Sequence, residues 1–248
     1  MTATTPEITS LINTYLSDRR SHENGNPWVM LNMIASSNGL ATINGSSGSL
    51  GGPADKALFK ALRSAADIIL VGYRTVLDEQ YGPPVLTDEL IDARKSKGKS
   101  PLPLIAVISN RLEVDVDLPL FRSKEYQPIL VTSLASSKSR RMQLESCSDV
   151  FICGDKVVDL RKAIFSLAGR HGKVILVEGG PSLNKQLVAE DVFDELCITT
   201  SPYRSEDEAS DVVTTGSSYD EGLMETERVI KVEDFTFTRF TRTRGKKI

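Results

Sequence analysis

The chain has 248 residues, 40% of them hydrophobic and 25% charged, with a formal net charge of -3. That is enough apolar material for a sizeable core, and the slight acidity argues against a nucleic-acid partner, which usually meets a basic domain or stripe. No apolar run approaches the ~20 residues of a bilayer span, and the opening MTATTPEITSLINTYLSD has neither a basic start nor a long apolar stretch, so a cytoplasmic protein without membrane partner or secretory leader is expected.

Residues 1–26 are polar and read as an N-terminal extension, with a short helix suggested by Leu11, Ile12, Tyr15 and Leu16. Residues 27–248 read as a single domain. The run WVMLNMIA, 28–35, is continuous enough for a strand covered on both faces. The Ser-, Asn- and Gly-rich segment that follows reads as a long loop. Pro53 then suits a first helical position, Asp55 favours the dipole of that first turn, and Leu58, Ala61, Leu62 and Ala65 form the apolar face. Buried strands are expected at DIILVG, LIAVIS, PILVTS, VFICG, KVILVEGG and DELCITTSP, with helices at 159–169 and 181–190 between the later ones. The basic run RKSKGKSP, 94–101, reads as a solvated loop. Strands alternating with helices imply parallel pairing. The end of the chain, ERVIKVEDFTFTRFTRTR, alternates with period two. Phe235 and Phe237 share a face and Phe240 does not, so a phase slip near Arg239 and an antiparallel piece with a bulge are expected.

Metal chemistry finds no support in the residues. Cys147, Cys153 and Cys197 lack CxxC spacing, and His22 and His171 are far apart. Walker A, GxGxxG and nucleophile-elbow patterns are absent. What remains is a set of strand ends. In open α/β sheets ligands gather beyond the carboxyl ends of the strands. Here those ends read NMIASSNG, VGYRT, ISNR, CGDK with Gly154, and VEGGPS. In the last of these, Gly179 and Gly180 would let a ligand approach the backbone, and the helix starting at Pro181 would offer free N–H groups to an anion such as a pyrophosphate. An ordinary strand–turn–helix junction is the alternative. Ser109 and Arg111 follow another strand, where an arginine accommodates a ribose 2′-phosphate and an acid would favour the 2′-hydroxyl; Arg111 could equally be a surface side chain. Arg63 could hold a substrate phosphate in a bidentate manner.

PWVMLNMIASSNGLAT, GSLGGPADKALFKALRSAADIILVGYRTV, PLIAVIS and VILVEGGPSLNKQLVAEDVFDELCIT resemble the pyrimidine reductases of riboflavin biosynthesis, most of all their stand-alone actinobacterial branch. The resemblance implies an α/β, dihydrofolate-reductase-like fold with a mostly parallel central sheet, helices on both faces and an antiparallel C-terminal part. It implies NADPH-dependent reduction of the ribosyl unit of an aminopyrimidine ribosyl 5′-phosphate to a ribityl chain, commonly by a homodimer. It assigns Gly72, Thr75, Gly179, Gly180, Pro181, Ser182 and Leu183 to the NADPH channel, with Ser109 and Arg111 near the 2′-phosphate. Asn32, Arg63 and Glu178 would face the substrate, with Glu178 the candidate for proton transfer. A reductase of a pterin-like substrate such as dihydrofolate, or a dinucleotide-binding protein without turnover, are the alternatives. Two departures stand out. Asn38 occupies the place of an acid usually found on the substrate side, so Asn38→Asp is expected to raise activity modestly. The acidic segment 201–216 replaces an apolar, Gly-rich one and is expected to alter the substrate mouth or the dimer edge.

Overall fold

The computed structural model describes residues 5–207 and 224–242. Positions 208–216 of the acidic segment therefore lie outside the described residues. The strands are β1 (Trp28–Ala35), β2 (Ile68–Gly72), β3 (Leu104–Ile108), β4 (Ile129–Thr132), β5 (Asp149–Ile152), β6 (Val174–Val177), β7 (Glu195–Thr200), β8 (Met224–Val232) and β9 (Phe235–Arg242). The helices are α1 (Pro6–Ser17), α2 (Pro53–Ala65), α3 (Tyr73–Asp78), α4 (Asp88–Ser96), α5 (Pro119–Arg122), α6 (Lys138–Leu144), α7 (Leu160–His171) and α8 (Pro181–Ala189). None of them is long and apolar enough to cross a membrane among the described residues. The strands expected from apolar runs are all present. Helices α3 to α6 come from polar stretches whose period is too short to read.

Contacts divide the chain into two compact units, interleaved in sequence. The first takes the N-terminal residues to Arg20, then Val29–Leu62, then the chain from Phe193; the second takes Ser21–Trp28 and Arg63–Val192. In the second unit the strands lie in the order β5-β4-β3-β2-β6, all parallel. The first four residues of β2 and all of β4 and β6 are buried, which is why their sequences are apolar runs and not alternations. Asp159 caps α7 by accepting from the Lys162 N–H at 2.8 Å.

Most of the basic run 94–101 is exposed as expected, but Arg94 and Lys99 turn inward. Arg94 is 1% exposed. Its guanidinium donates to the carbonyls of Ser64 (2.7 Å), Ala66 (2.5 Å) and Ser100 (2.8 Å), and Lys99 Nζ donates to the Ala65 carbonyl at 3.0 Å. The end of α2 has carbonyls without helical partners, and these two cations fill them.

In the first unit β1 runs parallel to β7, β7 antiparallel to β9, and β9 antiparallel to β8. Helix α1 belongs to this unit and buries Ile8, Leu11 and Tyr15. No phase slip occurs at Arg239. Strand β9 is continuous, and its inward positions are Phe235, Phe237 and Arg239. The irregularity lies in the partner strand, between Thr226 and Arg228. An arginine can take an inward position here because Glu195 on β7 receives it. Arg239 Nε donates to Glu195 Oε1 at 2.9 Å, and Arg20 donates to both carboxylate oxygens at 2.8 and 3.0 Å. Asp18 adds a second acid, gripped by Arg228 at 2.7 and 3.1 Å, while Arg228 lies over the Tyr15 ring at 4.8 Å. Burial works against the Glu195 charge, but Arg20 and Arg239 outweigh it and hold the carboxyl at about 2.

Candidate active site

The quoted Gly-Gly-Pro turn sits where β6 gives way to α8. The Gly72 N–H donates to the Gly179 carbonyl at 2.8 Å, joining the ends of β2 and β6. Gly179 has φ +87°, a conformation that favours glycine. A Cβ on Gly180 would lie 2.6 Å from Thr75 Oγ1, and one on Gly72 would lie 3.6 Å from the Gly180 nitrogen. Four of the predicted residues, Gly72, Thr75, Gly179 and Gly180, are thus packed together. Gly180 is the N-cap of α8, no side chain caps the helix, and Pro181 has no N–H to offer. The N–H groups of Ser182 and Leu183 remain as the donors that an anion would take. This glycine floor, next to a helix start and edged by the side chains of Thr75 and Asn184, fits the pyrophosphate of a dinucleotide. The Leu183 side chain itself is 5% exposed and packs into the core, so only its backbone can serve a ligand.

Directly before the turn stands Glu178, whose N–H continues the ladder to the Leu70 carbonyl at 3.0 Å. Its carboxylate meets Arg63 from the end of α2 in a fork: Nε to Oε1 at 2.7 Å and Nη2 to Oε2 at 2.7 Å. Tyr81, just after α3, donates its hydroxyl to Oε2 at 2.8 Å, and its ring lies 5.4 Å from Arg63 Cζ. The Glu178 side chain is 2% exposed and that of Arg63 13%. Burial lowers the tendency of Arg63 to hold its proton, yet Glu178 more than reverses this and raises the guanidinium. Burial, and then the charge of Glu178, push the Tyr81 hydroxyl well above its ordinary value. The bidentate face expected to hold a substrate phosphate is therefore already spent on Glu178. Tyr81 is absent from the sequence-based set. It stands in YGPP, a polar turn, and nothing local marks it as the partner of an acid 97 residues away.

The other predicted cofactor residues form a second group at the ends of β3, β4 and β5. Ser109 is buried and its Oγ accepts from the Leu112 N–H at 3.1 Å, closing a turn. Asn110 Oδ1 accepts from the Val158 N–H at 2.7 Å. Gly154, at φ +108°, leaves no room for a Cβ, which would strike the Val157 carbonyl; its role in this fold is that of a tight turn. Arg111 is the exposed member of the group.

Asn32 and Asn38 belong to the first unit. Asn32 pairs in register with Cys197 in mid-strand and is half-buried. Asn38 is used by the protein itself. Its Oδ1 accepts from Ser36 Oγ at 2.9 Å and from the Ser205 N–H at 3.0 Å, while Nδ2 donates to the Ser205 carbonyl at 2.9 Å. Ser205 Oγ donates to the Thr42 carbonyl at 2.5 Å, and Asp207 accepts from Thr42 Oγ1 at 2.6 Å and the Gly45 N–H at 2.8 Å. The amide thus clasps the segment after β7 to the loop after β1, which needs a donor and an acceptor on one side chain; a carboxylate supplies only acceptors. Asp55, noted in the sequence only for its helix dipole, is a further candidate in this unit. Burial raises its carboxyl, against a hydrogen bond from Thr199.

Comparison with known proteins follows the same lines. The family model for the RibD C-terminal domain matches residues 27–205. The 2,5-diamino-6-ribosylamino-4(3H)-pyrimidinone 5′-phosphate reductase of Aquifex aeolicus is 30% identical over 182 residues, covering 71% of this chain and 77% of that protein. The protein of the same name from Archaeoglobus fulgidus is 26% identical over 194 residues, covering 78% and 88%. Among solved structures, a pyrimidine reductase-like protein from Corynebacterium diphtheriae superposes with a TM-score of 0.76 at 28% identity, covering 88% of this chain and 93% of that one.

Proposed function

The chain belongs to the RibD C-terminal domain family, the reductases of riboflavin biosynthesis, and from that premise we propose that it reduces an aminopyrimidine ribosyl 5′-phosphate to the ribityl product with NADPH. The observation that carries the reading is the glycine floor of Gly72, Gly179 and Gly180, packed on Thr75 and placed beside the Arg63–Glu178–Tyr81 cluster. When bound, the reduced nicotinamide supplies the hydride for the anomeric carbon, the ring C–O bond opens, and the freed oxygen takes one proton.

The protein's own part is binding and orientation. Ser182 and Leu183 offer backbone N–H groups to the pyrophosphate, and the three glycines keep side chains out of its way. Arg111, exposed beyond β3, supplies the positive charge for a 2′-phosphate. On the substrate side we assign Asn32, with Arg63 and Glu178 serving that side as a pair bound to each other and Asn38 acting through the segment that it holds. The same reading expects a cytoplasmic homodimer, which light scattering on the purified protein checks for subunit number.

Oxidation of NADPH in the presence of the aminopyrimidine ribosyl phosphate, with dihydrofolate as the contrasting substrate, tests the proposal. Turnover with the first and not the second is expected; the reverse would sink it. Arg111→Ala should weaken NADPH binding by one to two orders of magnitude, from a charge-assisted contact of about 1.5–3 kcal/mol, and leave NADH nearly unchanged. Equal affinities of the unaltered protein for both dinucleotides would remove the assignment of Arg111.

A further inference from the structure

We propose that Tyr81, Glu178 and Arg63 form a fixed brace that positions the dinucleotide turn, and that Glu178 holds this brace together without exchanging protons during turnover. The inference rests on the reductase reading and assigns roles within it. Three observations carry it. Both carboxylate oxygens of Glu178 are engaged, Oε1 by Arg63 Nε at 2.7 Å and Oε2 by Arg63 Nη2 at 2.7 Å and the Tyr81 hydroxyl at 2.8 Å. The side chain is 2% exposed, so a substrate has almost no surface of it to touch. A general acid or base must reach the atom that it serves, and protonating this carboxylate would remove the charge that the Arg63 fork is bound to.

The brace also has a definite place to act. Glu178 is followed at once by Gly179, so fixing its carboxylate fixes the start of the turn. Tyr81 is tied back to α3 through its N–H, which donates to the Val76 carbonyl at 3.0 Å, and α3 carries Thr75, the residue packed on Gly180. The Tyr81–Glu178 bond therefore links the turn after β6 to the turn after β2 by a second path, besides the backbone bond from Gly72 to Gly179. The groups facing the phenol are Arg63 from α2, Glu178 after β6, and Glu79 from its own segment. Burial and the charges of Glu178 and Glu79 outweigh the opposing pull of Arg63 and keep the hydroxyl protonated, so it remains a donor throughout the working range. Tyr81 is thus a positioning residue that acts through Glu178.

The test uses Tyr81→Phe, Glu178→Gln and the double variant of the full chain. NADPH binding, measured without turnover, should weaken by about three- to tenfold in Tyr81→Phe, in line with the loss of one hydrogen bond. In Glu178→Gln the pH profile of kcat/KM should keep the shape of the unaltered enzyme at reduced height. Loss of a limb of that profile, with a 10²–10⁴-fold fall, would show acid–base work by Glu178 and overturn the proposal. Thermal midpoints give a third reading that needs no ligand. The Tyr81→Phe shift should be smaller in the Glu178→Gln background than in the unaltered protein, because the phenol there donates to a neutral amide oxygen in place of a carboxylate; additive shifts would deny the brace. Failure of the reductase reading looks different: the unaltered enzyme would not turn over the pyrimidine phosphate, while the melting cycle still decides whether the three residues act as one.

Discussion

Glu195 and Glu178 are both buried, and both face the fork of an arginine, but they keep different company. Glu195 in the first unit is gripped by Arg20 and Arg239, with Asp18 and Arg228 completing a cluster of three cations and two anions. Glu178 in the second unit has one arginine and a phenol, so its cluster sums to zero charge. The first arrangement ties α1 and the strands β7, β8 and β9 together. The second stands next to a turn without side chains. Taking charges out of water is costly, and a buried pair is a poor source of net stability unless every lone pair is met. Glu195 comes close to that condition, with donors on both oxygens from two arginines, although Arg228 Nε and the Tyr15 hydroxyl at the edge of its cluster have no hydrogen-bond partner among the described residues; Glu178 accepts three hydrogen bonds. What differs is the surplus of positive charge around Glu195, which fits an anchor, and its absence around Glu178, which leaves the neighbourhood of the turn neutral.

The comparison breaks first on stability. Glu195→Gln leaves two buried guanidinium groups short of an anion and should cost about 3–5 kcal/mol in chemical denaturation. Glu178→Gln leaves one partly accessible arginine and should cost about 1–3 kcal/mol. Equal losses would mean that the second arginine on Glu195 is idle. Acid sharpens the contrast. The Glu195 carboxyl lies at about 2 in the folded chain against an ordinary 4.5. A lowered carboxyl contributes stability above its unfolded value and loses it as pH falls through the folded one. About 3 kcal/mol should therefore disappear between pH 4.5 and 2, and the Glu195→Gln protein should lack that slope. An unchanged slope in the variant would assign acid unfolding to other carboxyls. The smallest effect falls on Asn38. Asn38→Asp removes the donor to the Ser205 carbonyl, so the expectation of a gain in activity gives way to a loss of about 0.5–1.5 kcal/mol of stability. Faster proteolysis after β7, without higher kcat, is the expected outcome, and a rise in kcat would restore the substrate-side role.

Much of this architecture can be read locally. The apolar runs of β1 to β7 mark themselves, and Gly179, Gly180 and Pro181 announce a turn that a ligand can approach. The pairings cannot be read that way. Glu195 looks like one more residue of a strand, and Arg239 marks only the place of an expected phase slip, because their partnership spans 44 residues and Arg20 lies 175 away. Arg63 and Glu178 are 115 residues apart, and each alone suggested a ligand contact, whereas the fold gives them to each other. Asn38 resembled a lost acid until its amide was seen to need both a donor and an acceptor. In each case the unread information is which buried polar group satisfies which, a property of the folded chain and not of a window of sequence.

The end of α2 carries one more consequence. Its open carbonyls are filled by Arg94, which arrives 30 residues after Ser64, and by Lys99. A helical turn closed by so distant a segment opens only when that segment lets go. The amides of this turn and those of α4 thus belong to one cooperative opening, and deuterium should enter both at a common rate. Arg63 rides on that turn, so the lifetime of its grip on Glu178 should follow the opening of α4 and the segment after it.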